Sequence, residues 1–378
     1  MAKAVYIHIP FCTQICHYCD FNKVYLNRQP VDDYLIALKK EIHMTLEEAP
    51  TSLIETVFIG GGTPTALNES QLEFLLESIH QTLPTNTLKE FTIEANPGDL
   101  NGEKIRLLKD GGVNRLSLGV QTFNNELLKK IGRNHSVQQV YETVDAAKKY
   151  DFENISIDLM YRLPGQSMKD LRHSLLEFKN LQIPHASIYS LIIEPKTIFY
   201  NLMRKGKLPL PSEDVEADMY QFIIDEMASY GYKQYEISNF SKPGLESRHN
   251  LVYWNNESYY GFGAGAHSYL HGIRSSNIGP VNHYIQAVNA HRLPKREKRS
   301  LTKQEQMEEE MFLGLRKTAG VSVSKFTQKY GIDPLHHYDK QITQLVEKGL
   351  LEVGDGQIRL TKKGLFFGNV VFQSFIEV

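Results

Sequence analysis

Three thiols are the first residues here whose type and spacing could do chemistry. Cys12, Cys16 and Cys19 are the only cysteines of the 378-residue chain, and all lie in "FCTQICHYCDF" (residues 11–21). Core cysteines usually scatter along a chain, so a cluster points to metal or to disulfides. An odd count cannot pair fully, and the opening "MAKAVYIHIP" has neither the apolar run nor the cleavage site of a secretory signal. No stretch approaches the roughly 18 apolar residues of a transmembrane helix. The expectation is a cytoplasmic protein, where thiols stay reduced and a tight cluster of them binds metal. A closed zinc site would need His8 or His17 as its fourth ligand, at awkward spacing. Iron–sulfur clusters are held by thiolates, commonly four, and three on a four-iron cluster leave one iron open.

The elements that must position these thiols are legible in the first half. Strands are expected at 4–9, 56–60, 90–95, 115–120, 154–160 and 186–193, with helices near 31–48, 69–82, 102–111, 124–131, 136–149 and 168–180. This alternation builds parallel βα units, and six of them make a partial barrel. Ligands bind such sheets at the carboxyl ends of the strands. The cysteine loop follows the first strand, and "GGGTPT" (60–65) follows the second, with glycines that admit close backbone approach. Glu94 closes the third strand, Gln121 the fourth and Asp158 the fifth. One such residue is often a helix cap, whereas three on one rim suit a polar ligand. Arg133 in "IGRNH" (131–135) can pair with a carboxylate.

Cys12-x3-Cys16-x2-Cys19, with Tyr18 before the last cysteine, resembles the signature of the radical S-adenosylmethionine (SAM) superfamily. The resemblance implies an α/β fold on a partial (β/α)6 radical SAM barrel, with a [4Fe–4S] cluster on the three cysteines. It also implies SAM bound through its amino and carboxylate groups at the open iron, where reduction cleaves it to a 5'-deoxyadenosyl radical. "YIHIPFC", "GGGTPT", "IEANP", "LSLGVQ", "IGRNH" and "IDLMYRLPGQ" occur in this order. They resemble one branch, that of the oxygen-independent coproporphyrinogen III oxidases and the HemW haem chaperones. Carried over residue by residue, SAM contacts fall on Tyr6, Tyr18, Gly61, Gly62, Thr63, Glu94, Gln121, Arg133 and Asp158. A reductant protein is implied as a partner.

Three features separate the chain from the oxidases. They carry a fourth cysteine where Phe21 stands here, and a long segment before their cysteines that helps enclose the substrate; here eleven residues precede Cys12. The third feature is "RHNLVYWNN" (248–256), whose His249, Asn250, Tyr253 and Trp254 resemble the HNxxYW motif of the HemW group. That resemblance implies haem bound near His249 and haem-accepting apoproteins as partners. It implies a chaperone; oxidative decarboxylation of coproporphyrinogen III is the alternative. A neutral imidazole can ligate haem iron, and Tyr253 and Trp254 offer flat faces to a porphyrin. The same residues would also suit ordinary aromatic packing with satisfied polar tips. His267 in "GFGAGAHSY" (261–269), flanked by glycines, is a second candidate.

The remainder is expected to serve this site. Residues 1–195 form the barrel, 196–290 extend it and carry the "HNLVYW" motif, with helices and loops over 195–245, and "HRLPKREKRSLT" (291–302) is a basic linker. Residues 303–378 read as an α+β winged-helix-like domain, with helices near 303–321, 324–331 and 338–351 and a hairpin around "GDGQ". Its would-be recognition helix, "SKFTQKYG", carries only two lysines, and the net charge of −2 leaves no dominant basic footprint, so no nucleic acid is expected. Peripheral membrane contact is compatible with this composition.

Overall fold

Each βα unit of the first half forms as the sequence pattern requires. The computed structural model describes residues 2–376, so the outermost residues of the two expected terminal domains lie outside the described residues. Strand β1 (Ala4–Ile9) leads into the cysteine loop, which is tied by the short parallel pair β2 (Phe11–Cys12) and β3 (Val24–Tyr25). Then come β4 (Thr56–Gly61), β5 (Glu90–Ala95), β6 (Arg115–Gln121), β7 (Asn154–Tyr161) and β8 (His185–Ser190). These pair in parallel in the order β1-β4-β5-β6-β7-β8. All seven residues of β6 are buried, as suits a parallel strand covered on both faces. Capping boxes start three of the covering helices, at Asn68 with Gln71, Ser136 with Gln139 and Ser167 with Asp170.

The sheet continues past both barrel edges. β9 (Lys233–Glu236) and β10 (Asn239–Ser241) add antiparallel strands beyond β8. β11 (Tyr259–Phe262) pairs parallel with β1, and β12 (His267–Leu270), β13 (Ile273–Asn277) and β14 (Lys295–Ser300) extend that edge antiparallel. Two expectations are corrected. The expected helices and loops of 195–245 include two strands, β9 and β10, too short for a clear period. The expected linker 291–302 contains β14, whose charged residues are mostly exposed. An edge strand needs no apolar alternation, and lysine and arginine there block further pairing.

The C-terminal part has its own core, including Met311, Leu315, Phe326, Ile342, Ile358 and Phe375. Its first helix ends at Gly314, short of the expected 321, and Gly320 (φ 71°) turns the chain into β15 (Val321–Ser322). The expected hairpin is β16 (Leu351–Gly354) and β17 (Gln357–Leu360), and β17 also pairs with β15. On the helix Val323–Tyr330, Lys329 bonds Glu310 at 2.6 Å and the Asn256 carbonyl of the barrel side at 3.2 Å. Among the described residues no helix is long and apolar enough to cross a membrane.

Candidate functional site

A cavity of about 340 Å³ opens at the carboxyl ends of the parallel strands. Cys12, Cys16 and Cys19 line it, together with Tyr18, Gly61, Gly62, Thr63, Glu94, Gln121, Arg133 and Asp158. The structure therefore brings together every sequence-predicted cluster and SAM residue except Tyr6, which faces two neighbouring cavities.

Backbone geometry explains the glycines. A Cβ on Gly62 would lie 2.8–2.9 Å from the backbone of Ile9, Pro10 and Phe11. Without it, the end of β4 lies flush against the cysteine loop, with Gly62 N–H donating to Ile9 O and Thr63 N–H to Phe11 O, both at 2.8 Å. At the end of β6 the register with β7 shifts between Leu118 and Gln121, and Gln121 takes a left-handed φ of 67°. Such a bulge re-aims a rim side chain at some cost in strain.

The polar groups of the rim form a connected set. Arg133 donates to Asn96 Oδ1 at 2.7 Å and to the Tyr18 hydroxyl at 3.1 Å, while its buried Nε has no partner among the described residues. Glu94 accepts the Gly61 N–H at 3.0 Å. Burial, and then the nearby Asp158, push the Glu94 carboxyl up to about 7. Burial also raises Asp158 to about 6, held back by a Ser187 hydrogen bond and by Arg115. Burial pushes the Cys12 thiol up to about 11.

The HNxxYW residues divide between two surroundings. They form the helix Arg248–Trp254, whose first N–H groups, on Arg248 and His249, donate to the buried Glu90 carboxylate at 2.7 and 3.0 Å. His249, Asn250 and Tyr253 face a barrel cavity of about 220 Å³ with Tyr6, Arg115 and Asp158. His249 is fully buried, and burial lowers it to about 3, so the imidazole is neutral. Its Nδ1 lies 2.9 Å from Thr56 Oγ1 and its Nε2 2.8 Å from the Tyr253 hydroxyl. Both ring nitrogens are thus within hydrogen-bond distance of a hydroxyl in this arrangement. Trp254 points elsewhere: the Arg316 guanidinium of the C-terminal part lies 4.5 Å over its ring. The Trp254 ring thus lies in a contact between the two parts of the chain. His267 is exposed at a third cavity, of about 410 Å³.

Residues 6–178 match the model of the Radical SAM superfamily, and residues 301–367 that of the HemN C-terminal domain. The chain is 52% identical over 375 residues to the heme chaperone HemW of Bacillus subtilis (strain 168), covering 99% of each. It is 50% identical over 374 residues to the heme chaperone HemW of Lactococcus lactis, covering 99% of this chain and 97% of the relative. The chain belongs to the HemW family of radical SAM proteins. Among solved structures, coproporphyrinogen III oxidase (HemN) from Escherichia coli shares the fold, with a TM-score of 0.85 and 24% identity over 99% of this chain and 90% of that one.

Radical SAM membership implies a [4Fe–4S] cluster and SAM, and this HemW-family cavity fits both. The three cysteines are free thiols on one wall. The two histidines that could complete a zinc site are engaged elsewhere, His8 Nε2 with Asn22 O at 2.7 Å and His17 Nδ1 with Lys130 O at 2.9 Å. Among the described residues no three His, Cys, Asp or Glu side chains stand close enough to hold a single ion. Carboxyls, amides and one guanidinium with a free Nε match the mixed charges of SAM. Sequence reasoning missed Asn96, Ser117 and Gly119, which also line the cavity. For Ser117 and Gly119 the signal was there: in "RLSLGVQ" the residues Arg115, Ser117, Gly119 and Gln121 alternate with Leu116, Leu118 and Val120, the period-2 mark of one inward strand face.

Proposed function

We propose that this HemW-family chain is a haem chaperone: it binds haem at the barrel mouth and passes it to acceptor apoproteins. The observation that carries the reading is the end-to-end match to two relatives named heme chaperone HemW, each about half identical. Cys12, Cys16 and Cys19 would hold the cluster, and Gly61, Gly62, Thr63, Glu94, Asn96, Gln121, Arg133 and Asp158, which line the same cavity, would hold SAM. When bound, a cluster with one thiolate-free iron supplies a site for the SAM amino and carboxylate groups and an electron. Arg133 positions a carboxylate through its unpartnered Nε, and Gln121 is held into the cavity by the bulge of β6. Glu94 sits where it accepts a hydroxyl or ammonium proton. A reductant protein serves as the electron donor.

The domain reading is part of this proposal: a barrel over 1–195, its extension over 196–290, a basic connection at 291–302 and a C-terminal cover over 303–378. The separate C-terminal core supports the last division, while one continuous core spanning residues 2 to 288 ties the first two together. The test is anaerobic reconstitution followed by three assays on one preparation: haemin titration, haem transfer to an apo-acceptor, and mass spectrometry of porphyrin products from coproporphyrinogen. Saturable haem binding and transfer without decarboxylated product are expected. Loss of two carboxyl groups per macrocycle over many turnovers would favour the oxidase.

A further inference from the structure

One guanidinium in the cysteine cavity is fixed at two of its three nitrogens and open at the third. Arg133 Nη1 donates to Asn96 Oδ1 at 2.7 Å and Nη2 to the Tyr18 hydroxyl at 3.1 Å. Its Nε is buried and has no partner among the described residues. Tyr18 comes from the cysteine loop, between Cys16 and Cys19, and Asn96 from the turn that follows β5. Strand β6 leaves room for this meeting. A Cβ on Gly119 would lie 3.1 Å from Arg133 Nη2, 3.1 Å from Gln121 Nε2 and 3.5 Å from Asn96 Oδ1. The bare glycine is thus where three polar side chains converge.

Asn96 is itself held in one orientation. It is buried, and its Nδ2 lies 3.2 Å from Asp99 Oδ2 and 3.4 Å from Thr63 Oγ1. An ionised carboxylate only accepts, so the amide nitrogen faces Asp99 and the amide oxygen faces Arg133. The Thr63 hydroxyl is directed at Cys12 Sγ, 3.7 Å away, which leaves its lone pairs to accept from Asn96. Asn96 therefore joins the guanidinium to the glycine turn and, through Thr63, to the first cysteine. It also stands between two opposite charges, since the Arg133 charge already acts on the Asp99 carboxyl. An apolar side chain at this position would release Nη1 and let the guanidinium turn towards Asp99.

Resting on the SAM-binding reading above, we infer that Asn96 is a positioning residue for that ligand: it holds Arg133 off Asp99 and aims the guanidinium at the SAM carboxylate. Asn96 acts through Arg133, so its effect falls on the acidic end of the ligand and spares the adenosine and the sulfonium.

The test is calorimetric titration of the anaerobically reconstituted full chain with two ligands, SAM and decarboxylated SAM, which keeps the adenosine, the sulfonium and the amine. The second ligand also lacks a donor to the open iron, so only the change on mutation is compared. Asn96→Leu weakens SAM binding by about tenfold, the worth of one charge-assisted hydrogen bond, and changes binding of the decarboxylated ligand by less than about twofold. In an Arg133→Met background Asn96→Leu adds no further loss, the mark of two residues acting as one unit. Asp99→Ala frees the amide to turn and gives the same selective loss to a smaller extent, which keeps the test available where Asn96→Leu loads its cluster poorly. Iron and sulfide content checks the loading of each variant. Equal losses for the two ligands, a full further loss in the Arg133→Met background, or wild-type SAM affinity in a loaded Asn96→Leu protein overturns the inference and leaves SAM binding intact. Failure of the loaded wild-type protein to bind SAM overturns the SAM-binding reading together with the inference.

Discussion

Glu94→Gln should stabilise the cofactor-free protein at pH 8 while weakening its hold on SAM. The Glu94 carboxyl rises from about 4.5 in the unfolded chain to about 7 in the fold, first through burial and then through Asp158. The folded state keeps this proton over a range in which the unfolded state has lost it. The resulting penalty is therefore absent below about pH 4.5, grows as pH rises towards 7 and is complete above that. At about 1.4 kcal/mol per pH unit the full penalty is on the order of 3 kcal/mol, and the partial exposure of Glu94 lowers it to about 2. Glutamine keeps an acceptor for the Gly61 N–H and carries no charge. An unfolding entropy of about 2 cal/mol/K per residue over 378 residues converts 2 kcal/mol into a Tm gain of about 2–3 °C. The assay is thermal unfolding of both proteins from pH 4.5 to 8.5, with SAM binding by calorimetry on reconstituted samples. A variant no more stable than wild type at pH 8 would refute the reasoning. So would a stability gap that fails to shrink on acidification.

The other predictions concern the wall of the cysteine cavity and the contact with the C-terminal part. Cys16→Ala should retain only a minor fraction of the iron and sulfide after reconstitution, because two thiolates hold a cluster poorly; full stoichiometry would sink the assignment. Gly62→Ala places a methyl 2.8 Å from the Phe11 carbonyl oxygen, so it should cost about 1–3 kcal/mol in thermal unfolding and slow cluster loading. Trp254→Ala should cost about 1 kcal/mol through the lost Arg316 contact and speed proteolysis between barrel and C-terminal part. Its haemin affinity should match wild type, and a tenfold loss there would return Trp254 to the haem site.

The barrel was legible because its strands and helices have clean periods and its unusual residues sit at strand ends. That logic found the cysteines, the glycine turn, Glu94, Gln121, Arg133 and Asp158 together. It did not find the flanking strands. β9 and β10 have four and three residues, and β14 is a charged edge whose exposed lysines and arginines look like a linker. Nor did it find Asn96, which is held by Arg133 and is visible only once β5 and β6 stand side by side. His249 shows what only the fold supplies. Its residue type points to a ligand, but its partners, Thr56 and Tyr253, come from folding, and only they reveal that both nitrogens are taken.

The spacing of the HNxxYW residues follows from the helix they occupy. His249 and Tyr253 are four residues apart, so they share a face and meet in a 2.8 Å hydrogen bond inside the barrel. Trp254, one residue further, is rotated by about 100° and faces the Arg316 guanidinium. Arg316 lies 3.8 Å from the buried Glu236 carboxylate and 5.9 Å from the ring centre of Phe372 in the C-terminal core. Tyr253 also packs edge-on against Tyr259, at 4.7 Å between ring centres, and lines the cleft that holds His267. A ligand that displaces Tyr253 therefore acts on a two-turn helix clamped at one end by Glu90 and at the other by the C-terminal part. The contact at Trp254 therefore ties the helix that faces the barrel cavity to the C-terminal part.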